Sequence, residues 1–469
     1  MAGYDLLVLG ATGFTGKLIT RYLYVRPQHK NREFTFAIAG RSLSKLTALA
    51  KSIDLDTSLV PSVLVDVTNA EDVERVVKSA KVVINTVGPY WTWGTPVVRA
   101  CVRHGVHYVD LTGEPPWVRD IIYEFDYAAT RTGAIIVPSC GMDSIPSDYS
   151  VYLSYKYLGS LDQIHGWEML DSTTAYNLRG GVSGGTISTG LTLLENVPQE
   201  KVKESFKPYG LSPVKGPHIA PRRLVYTMPH IPRLVGAFFL MAPANRALVQ
   251  RTWGLLEMAS LQSSPSPSTS PSSTPSINGV TTGKVVRYGP NFTYDEFLQM
   301  PSKMTAFTLS VGMMAVAACL VALKPVRWLF KRLVTQPGEG PSEETMQNGY
   351  LRVTNVTTAV PASASPPTAS APTSTTNSNI SSGEPTVVKS QFIGQGCPGY
   401  LLTSIMISES ALSILLARDR LPALAQRGGV LTPVTAFGDV LVERLEKTGR
   451  FEFRSEVLDA EGGEDRKRR

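Results

Sequence analysis

One run near the start of the chain has the residue types and spacing to hold a pyrophosphate: Gly10-Ala11-Thr12-Gly13-Phe14-Thr15-Gly16. Gly10 can take the positive φ of a tight turn, Gly13 has no Cβ to hold a phosphate off the backbone, and Gly16 lets a helix lie close on the preceding strand. Amide N–H groups at that helix's N-terminus would then face the anion, helped by the helix dipole. The spacing is GxxGxxG and not the GxGxxG of many dehydrogenases, so the reading rests on context. A strand-length apolar run, Asp5-Leu-Leu-Val-Leu9, leads in, and an amphipathic helix leads out.

A dinucleotide held there sets tests for the rest of the chain. The strand around Phe34 to Ala39 ends in Gly40-Arg41-Ser42, where an NAD site would carry an acidic residue for the ribose hydroxyls. Arginine suits a 2′-phosphate, which favours NADP(H) over NAD. Asp66 ends a third strand where its carboxylate could meet the adenine edge. Asn85, Thr86 and Gly88 would pass beside the nicotinamide ribose. Polar residues near the reacting centre are Asn85, Tyr90, Asp110 and Asp143, each also able to cap a loop or helix. A rival pair is Tyr152-Leu-Ser-Tyr-Lys156, the Tyr-x-x-x-Lys acid/base spacing of short-chain dehydrogenases, with Ser139 upstream. Against it, aromatic residues at 149, 152, 155 and 157 fit helix packing. His218 and His230 lie in proline-rich sequence without partners, and Cys101, Cys140, Cys319 and Cys397 show no metal spacing.

The elements that must position these residues alternate strand and helix to about residue 140, the pattern of a doubly wound parallel sheet. Helices are expected at Asp72 to Ala80, Pro96 to His104 and Val118 to Thr132, and cofactor and substrate should meet beyond the strands' carboxyl ends. At 469 residues and 43% hydrophobic content, the chain can bury two domains. Its net charge of +7 is spread out except at Lys467-Arg-Arg469, which argues against a nucleic-acid surface and suits a chain near an anionic membrane. Asp5 and Gly10 interrupt any signal-peptide apolar run, so the thiols should be reduced and the sequons at Asn291, Asn355 and Asn379 unused.

Gly10 to Gly16, Ala39-Gly-Arg41, Asn85-Thr-Val-Gly-Pro-Tyr90, Tyr108-Val-Asp-Leu-Thr-Gly-Glu114 and Pro138-Ser-Cys-Gly-Met-Asp-Ser-Ile-Pro146 together resemble the saccharopine dehydrogenase-like oxidoreductases. Ser183-Gly-Gly-Thr186, Tyr288-Gly-Pro-Asn291, Gly396-Cys-Pro-Gly-Tyr400 and Leu431 to Asp439 extend the resemblance over nearly the whole chain. Within that group it is most similar to the membrane- and lipid-droplet-associated branch, which includes the trans-acting enoyl reductases of bacterial glycolipid biosynthesis. Cys397 departs from it, standing where relatives tend to carry Asp.

The resemblance implies an α/β fold: an N-terminal Rossmann-type dinucleotide-binding domain (1–145) with an inserted α+β substrate domain (146–300). It also implies a C-terminal part (391–456) that returns to the core. Segments 261–277 and 335–390, within which Ser263 to Thr274 and Val356 to Pro385 are low in complexity, are expected to be disordered, and 457–469 is a charged tail. No arginine cluster awaits a dicarboxylate, so an unsaturated or carbonyl-bearing lipid is the expected substrate. A cofactor-binding protein without turnover is the alternative, and a homodimer is left open. The uncharged run Ala306 to Leu323 would reach about 27 Å as a helix, marginal for a bilayer core. Pro325 and the basic, aromatic Val326 to Val334 follow it. The 304–334 segment, joined by Leu234 to Met241, is therefore expected to lie on or re-enter the cytosolic face of a membrane or lipid droplet.

Overall fold

The computed structural model describes residues 3–142, 144–161, 166–180, 190, 192–219, 221–263, 286–323, 325–328, 340–362 and 384–458. Six parallel strands come first: β1 (Tyr4–Leu9), β2 (Phe36–Gly40), β3 (Ser62–Leu64), β4 (Ala80–Asn85), β5 (His107–Asp110) and β6 (Ile135–Val137). Between them run α1 (Phe14–Val25), α2 (Leu43–Ser52), α3 (Ala70–Val77), α4 (Tyr90–His104) and α5 (Pro115–Thr132). Strand order reverses beside β1, in the sequence β6-β5-β4-β1-β2-β3, which opens a crevice at the strands' carboxyl ends. Leu6, Leu7 and Val8 are fully buried because helices cover both faces of the sheet.

The helix expected from Pro96 begins instead at Tyr90, with Pro96 inside it. A distant side chain accounts for the extra turns. Glu114 is buried and accepts the first N–H groups of α4, from Tyr90 at 2.9 Å and Trp91 at 2.7 Å.

The chain then leaves this sheet through α6 (Ile145–Leu161) and builds a second one from β7 (Trp167–Arg179), β8 (Val225–Met228) and β9 (Ile231–Ala237). After α7 (Ala242–Ser263) come β10 (Thr293–Met300), α8 (Lys303–Ala322), β11 (Tyr350–Pro361) and β12 (Thr386–Gln395). A return follows through α9 (Thr403–Leu416), β13 (Gly429–Val430), α10 (Pro433–Glu446) and β14 (Phe451–Val457). The second sheet has the order β14-β12-β11-β7-β10-β9-β8 and is mixed, with β10 parallel to β7 and the other pairs antiparallel. β13 adds to the first sheet outside β6, and α9 packs on α1 and β4. Buried Glu409 of α9 fixes that return, pairing with Arg26 at 3.2 Å and Arg444 at 2.8 Å and accepting the Tyr22 hydroxyl at 2.6 Å.

Two expectations need correction. Of the segment 335–390, read as disordered, residues 343–347 form a short helix and 350–361 and 386–390 are strands. Val353, Val356, Ala359 and Val388 are fully buried among the polar residues there, and β11 is enclosed between β7 and β12. Its Asn355, a sequon residue, is buried and donates to Ser172 at 2.7 Å and Thr174 at 2.9 Å, so it cannot carry a glycan. Of that segment, 335–339 and 363–383 lie outside the described residues, as do most of the 261–277 insert and 459–469 of the tail. Secondly, Leu234 to Met241 is mainly core. Val235, Ala237 and Phe239 are buried, and only Leu240, 68% exposed, points to solvent.

Among the described residues two helices are long and apolar enough to cross a membrane. Pro398–Leu416 is 78% buried and is a core helix, whereas α8 is 11% buried.

Asp148 in α6 offers a stability test. It accepts Thr252 Oγ1 at 2.6 Å and the Val434 N–H at 2.9 Å, and burial pushes its pKa up to about 7. Raised above the unfolded value of 3.8, it makes folding take up a proton between about pH 4 and about pH 7, so its contribution weakens as pH rises through that window. Asp148→Asn keeps both bonds, since Thr252 can accept from the new amide. Denaturation midpoints of the variant should fall less across the window than those of the parent.

Candidate active site at the carboxyl ends of the first sheet

The turn after β1 closes as its glycines require. Gly10 has φ +83°, and a Cβ on it would stand 2.7 Å from Thr86 Oγ1. That hydroxyl donates to the Leu9 carbonyl at 2.9 Å and the Gly10 carbonyl at 3.2 Å, tying the β4 loop to the turn. A Cβ on Gly16 would run into the Gly10 carbonyl oxygen and reach the Ala11 Cα at 2.8 Å. Ala11 is fully buried, while Thr12, Gly13, Phe14 and Thr15 are partly exposed along the turn.

The test for an anion lies in the caps. Ser42 closes the first turn of α2, and Asn69 that of α3. α1 starts at Gly13 with no side-chain cap, so its first-turn N–H groups remain for a ligand. The residues present fit a pyrophosphate. Behind the turn, the Phe14 ring packs edge-on against Tyr400 with centroids 5.2 Å apart, so the Gly396-to-Tyr400 segment braces the cradle from the far end of the chain. Cys397 sits there in an apolar cluster with Met346 and Tyr400, buried where no carboxylate would be solvated.

Arg41 is exposed at the end of β2. Asp66 stands near enough for Arg41 to help hold its pKa below the usual carboxylate range, after the larger effect of its hydrogen bonds from the Thr68 N–H and hydroxyl. Those bonds, at 2.9 and 2.8 Å, both fall on Asp66 Oδ1.

The structure brings Asn85, Tyr90 and Asp110 into one enclosed polar network. Asn85 Nδ2 donates to the Tyr108 hydroxyl at 3.1 Å, and that hydroxyl donates to Asp110 Oδ2 at 2.8 Å. Asp110 Oδ1 accepts the N–H groups of Thr112 and Ser139, each at 2.9 Å. Asn85 Oδ1 accepts the Val87 N–H at 3.0 Å, and Tyr90 donates to the Asn85 carbonyl at 3.0 Å while accepting the Leu111 N–H at 3.2 Å. The bonds to Val87, Leu111, Thr112 and Ser139 fix the loops leaving β4, β5 and β6, where the crevice lies. Burial raises the Asp110 pKa to about 7, opposed by its N–H partners, and holds the phenols of Tyr90 and Tyr108 well above their usual range, with Asp110 adding to both. Asn85 and Asp110 are fully buried, so in this state they position backbone and present nothing to a substrate.

Asp143 lies outside the described residues, and so does the Ser183-to-Thr186 motif. Residues that the sequence did not single out complete the network: Tyr108, Thr112 and the helix-capping Glu114. Their signal was the whole Tyr108-to-Glu114 motif, in which only Asp110 was marked for chemistry. No metal-binding cluster occurs among the described residues.

The short-chain dehydrogenase pair is not assembled. Lys156 is ion-paired with Asp439 at 2.8 Å, and burial together with Asp439 raises the Tyr152 phenol, the wrong direction for a proton donor near neutral pH. Tyr152 packs edge-on to Tyr149 in the core at 5.9 Å, and Ser139 donates to the Thr112 carbonyl at 2.7 Å.

Comparison with known proteins agrees with the glycine turn and extends beyond it. The family model of the saccharopine dehydrogenase NADP binding domain matches residues 6–137. A Mycobacterium tuberculosis protein named provisionally as a trans-acting enoyl reductase is 32% identical over 465 residues, spanning 95% of this chain and 96% of its own. The chain belongs to the saccharopine dehydrogenase-like oxidoreductases. A trans-acting enoyl reductase of Mycobacterium bovis is 29% identical over 464 residues, with 95% and 96% covered. Among solved structures, apo saccharopine dehydrogenase (L-Glu forming) from Saccharomyces cerevisiae aligns over 97% of this chain and 100% of its own, with TM-score 0.47 and 12% identity.

This saccharopine dehydrogenase-like chain binds NADP(H). Exposed Arg41 makes a direct prediction about selectivity. Arg41→Asp should weaken NADPH relative to NADH by on the order of tenfold, since it replaces a bidentate donor by a like charge beside a phosphate. Calorimetric titration with both cofactors reads the ratio. Equal affinities in the parent would remove Arg41 from that role.

Proposed function

We propose that this protein is an NADPH-dependent reductase of an unsaturated or carbonyl-bearing lipid, acting at the cytosolic face of a membrane or on a lipid droplet. The observation that carries the lipid part is α8, a helix with no charged residue after Lys303, left outside the protein on the same body as the cofactor cradle. Met304 and Val321 are 71% and 62% exposed, and Phe307, Val311, Met314 and Val316 are exposed between them. Only Ala306 and Ser310 are buried, with Ser310 donating to the Leu224 carbonyl at 2.6 Å and accepting the Phe238 N–H at 2.9 Å. A monomer seldom leaves such a patch to water.

Its attachment speaks for a surface-lying helix. Strands before α8 (β7, β10) and after it (β11, β12, β14) share one sheet, so both flanks are on the same side of whatever α8 enters. Reductase chemistry follows the family and the relatives' name. Bound NADPH supplies a hydride; the chain's part is to hold the pyrophosphate on α1 and to shape, through Asn85, Tyr90 and Asp110, the loops that flank the nicotinamide. The rival reading, cofactor binding without turnover, draws on the enclosure of those three residues.

Absorbance of NADPH decides between them. Loss of the band that depends on added lipid supports the reductase, whereas unchanged absorbance with cofactor demonstrably bound would leave the binding-only reading. Placement has its own test. Replacing Phe307, Val311 and Met314 together by Ser spares the Ser310 bonds, so it should move the protein from the floated vesicle fraction to the soluble one with NADPH affinity within about twofold. Unaltered flotation would contradict the assignment of α8.

A further inference from the structure

A small cleft lies beside the base of α8, between the segment around Lys207 and the first half of α7, with a volume of about 30 Å³. That is roughly twice what one water needs. Its polar lining is made of donors: Lys207, Arg222, Arg246 and Gln250. Gln250 is 4% exposed, and its Oε1 accepts the Tyr209 N–H at 2.7 Å, yet its Nε2 has no acceptor among the described residues. Arg246 pairs with Asp295 through Nη2, while its Nε is likewise enclosed without an acceptor. Lys207 is paired with Glu204. Arg222 makes no ion pair among the described residues; its guanidinium stands over the Phe238 ring at 6.0 Å. Two carboxylates thus answer three cations, and two buried N–H groups point to a missing acceptor.

Position gives this lack of acceptors a meaning. Phe238, under Arg222, gives its N–H to Ser310 of α8, and Leu224, two residues after Arg222, receives the Ser310 hydroxyl. The cleft therefore opens within a residue or two of the exposed apolar helix.

We propose that this cleft binds a phosphate group, with Gln250 Nε2 and the guanidinium groups of Arg222 and Arg246 as its donors, and that an acidic phospholipid headgroup supplies it when α8 lies on a lipid surface. The second part rests on the lipid-surface reading above; the first does not. A phosphate monoester satisfies both orphan donors and the excess cation at once, which water, itself needing acceptors, does not.

The test separates the two. The full chain is floated with vesicles of phosphatidylcholine alone and of phosphatidylcholine containing phosphatidic acid, and titrated calorimetrically with inorganic phosphate. Parent protein should bind the acidic vesicles about tenfold better, a preference that Arg222→Gln and Gln250→Glu reduce to under twofold. Arg222 is a surface residue, so its variant keeps the test valid if the buried Gln250→Glu fails to fold. Arg233→Gln, an exposed arginine outside the cleft, should keep the preference. Equal loss in Arg233→Gln and Arg222→Gln would reduce the effect to general surface charge and overturn the proposal, as would a preference that survives in Arg222→Gln. Should no vesicle bind, the lipid-surface reading fails, and the phosphate titration still decides: binding lost in Arg222→Gln keeps the cleft with free phosphate as its ligand, and no binding in the parent removes it.

Discussion

Gly16→Val is expected to lower NADPH affinity at least about 100-fold, roughly 2.7 kcal/mol, while the protein stays folded. The added Cβ would collide with the Gly10 carbonyl oxygen and the Ala11 Cα, so α1 must lift off the turn and take its first-turn N–H groups with it. Overpacking of this kind costs about 1–3 kcal/mol of stability, which a domain of this size survives. Gly159→Ala is the matched control: it lies inside α6, and a Cβ there meets nothing within 4 Å. That change should leave cofactor binding untouched and add about 0.5–1 kcal/mol of stability. Circular dichroism and calorimetric titration report both quantities.

The other large effect belongs to Asp110. Asp110→Ala strands the N–H groups of Thr112 and Ser139 and the hydroxyl of Tyr108, all buried. At about 1–3 kcal/mol for each orphaned group, the loss should reach about 3 kcal/mol or more, with turnover abolished as the loops after β5 and β6 lose their anchor. Asp110→Asn separates positioning from proton transfer. It keeps both Oδ1 bonds, so turnover should largely survive. Complete loss of turnover with stability intact would make Asp110 a proton donor, against its enclosure. The sign of the pH effect follows from the raised pKa: the carboxyl, near 7 when folded and 3.8 unfolded, favours the folded state most at the acid end, and this is lost as pH rises through about 7.

NADP(H) binding and the strand-turn-helix around the glycines were legible in local sequence, because each feature there is short-range. Three glycines, an apolar strand and a Gly-Arg strand end are read within a few residues of one another. What long-range contacts decide was not readable. Nothing near Tyr90 says that Glu114 will cap its helix, and the Ser/Thr-rich stretch from Val356 reads as unstructured until β7 and β12 close on it. The polar candidates Asn85, Tyr90 and Asp110 were grouped by motif, but only their mutual bonds show that they hold loops. Length and hydrophobicity mark both α8 and Pro398–Leu416, which contains α9; burial separates them, since α9 is enclosed against α1 and Glu409 ties it there.

Deuteride transfer from cofactor to lipid decides whether the protein is a lipid reductase. NADPH carrying deuterium at the transferable position of the nicotinamide is incubated with the protein and a cellular lipid extract, and the lipids are then weighed by mass spectrometry. One lipid class should gain a single deuterium together with a proton, in the parent protein and not in Gly16→Val. Deuterium retained entirely in the cofactor, with NADPH bound and α8 on the lipid surface, would contradict the lipid-reductase assignment.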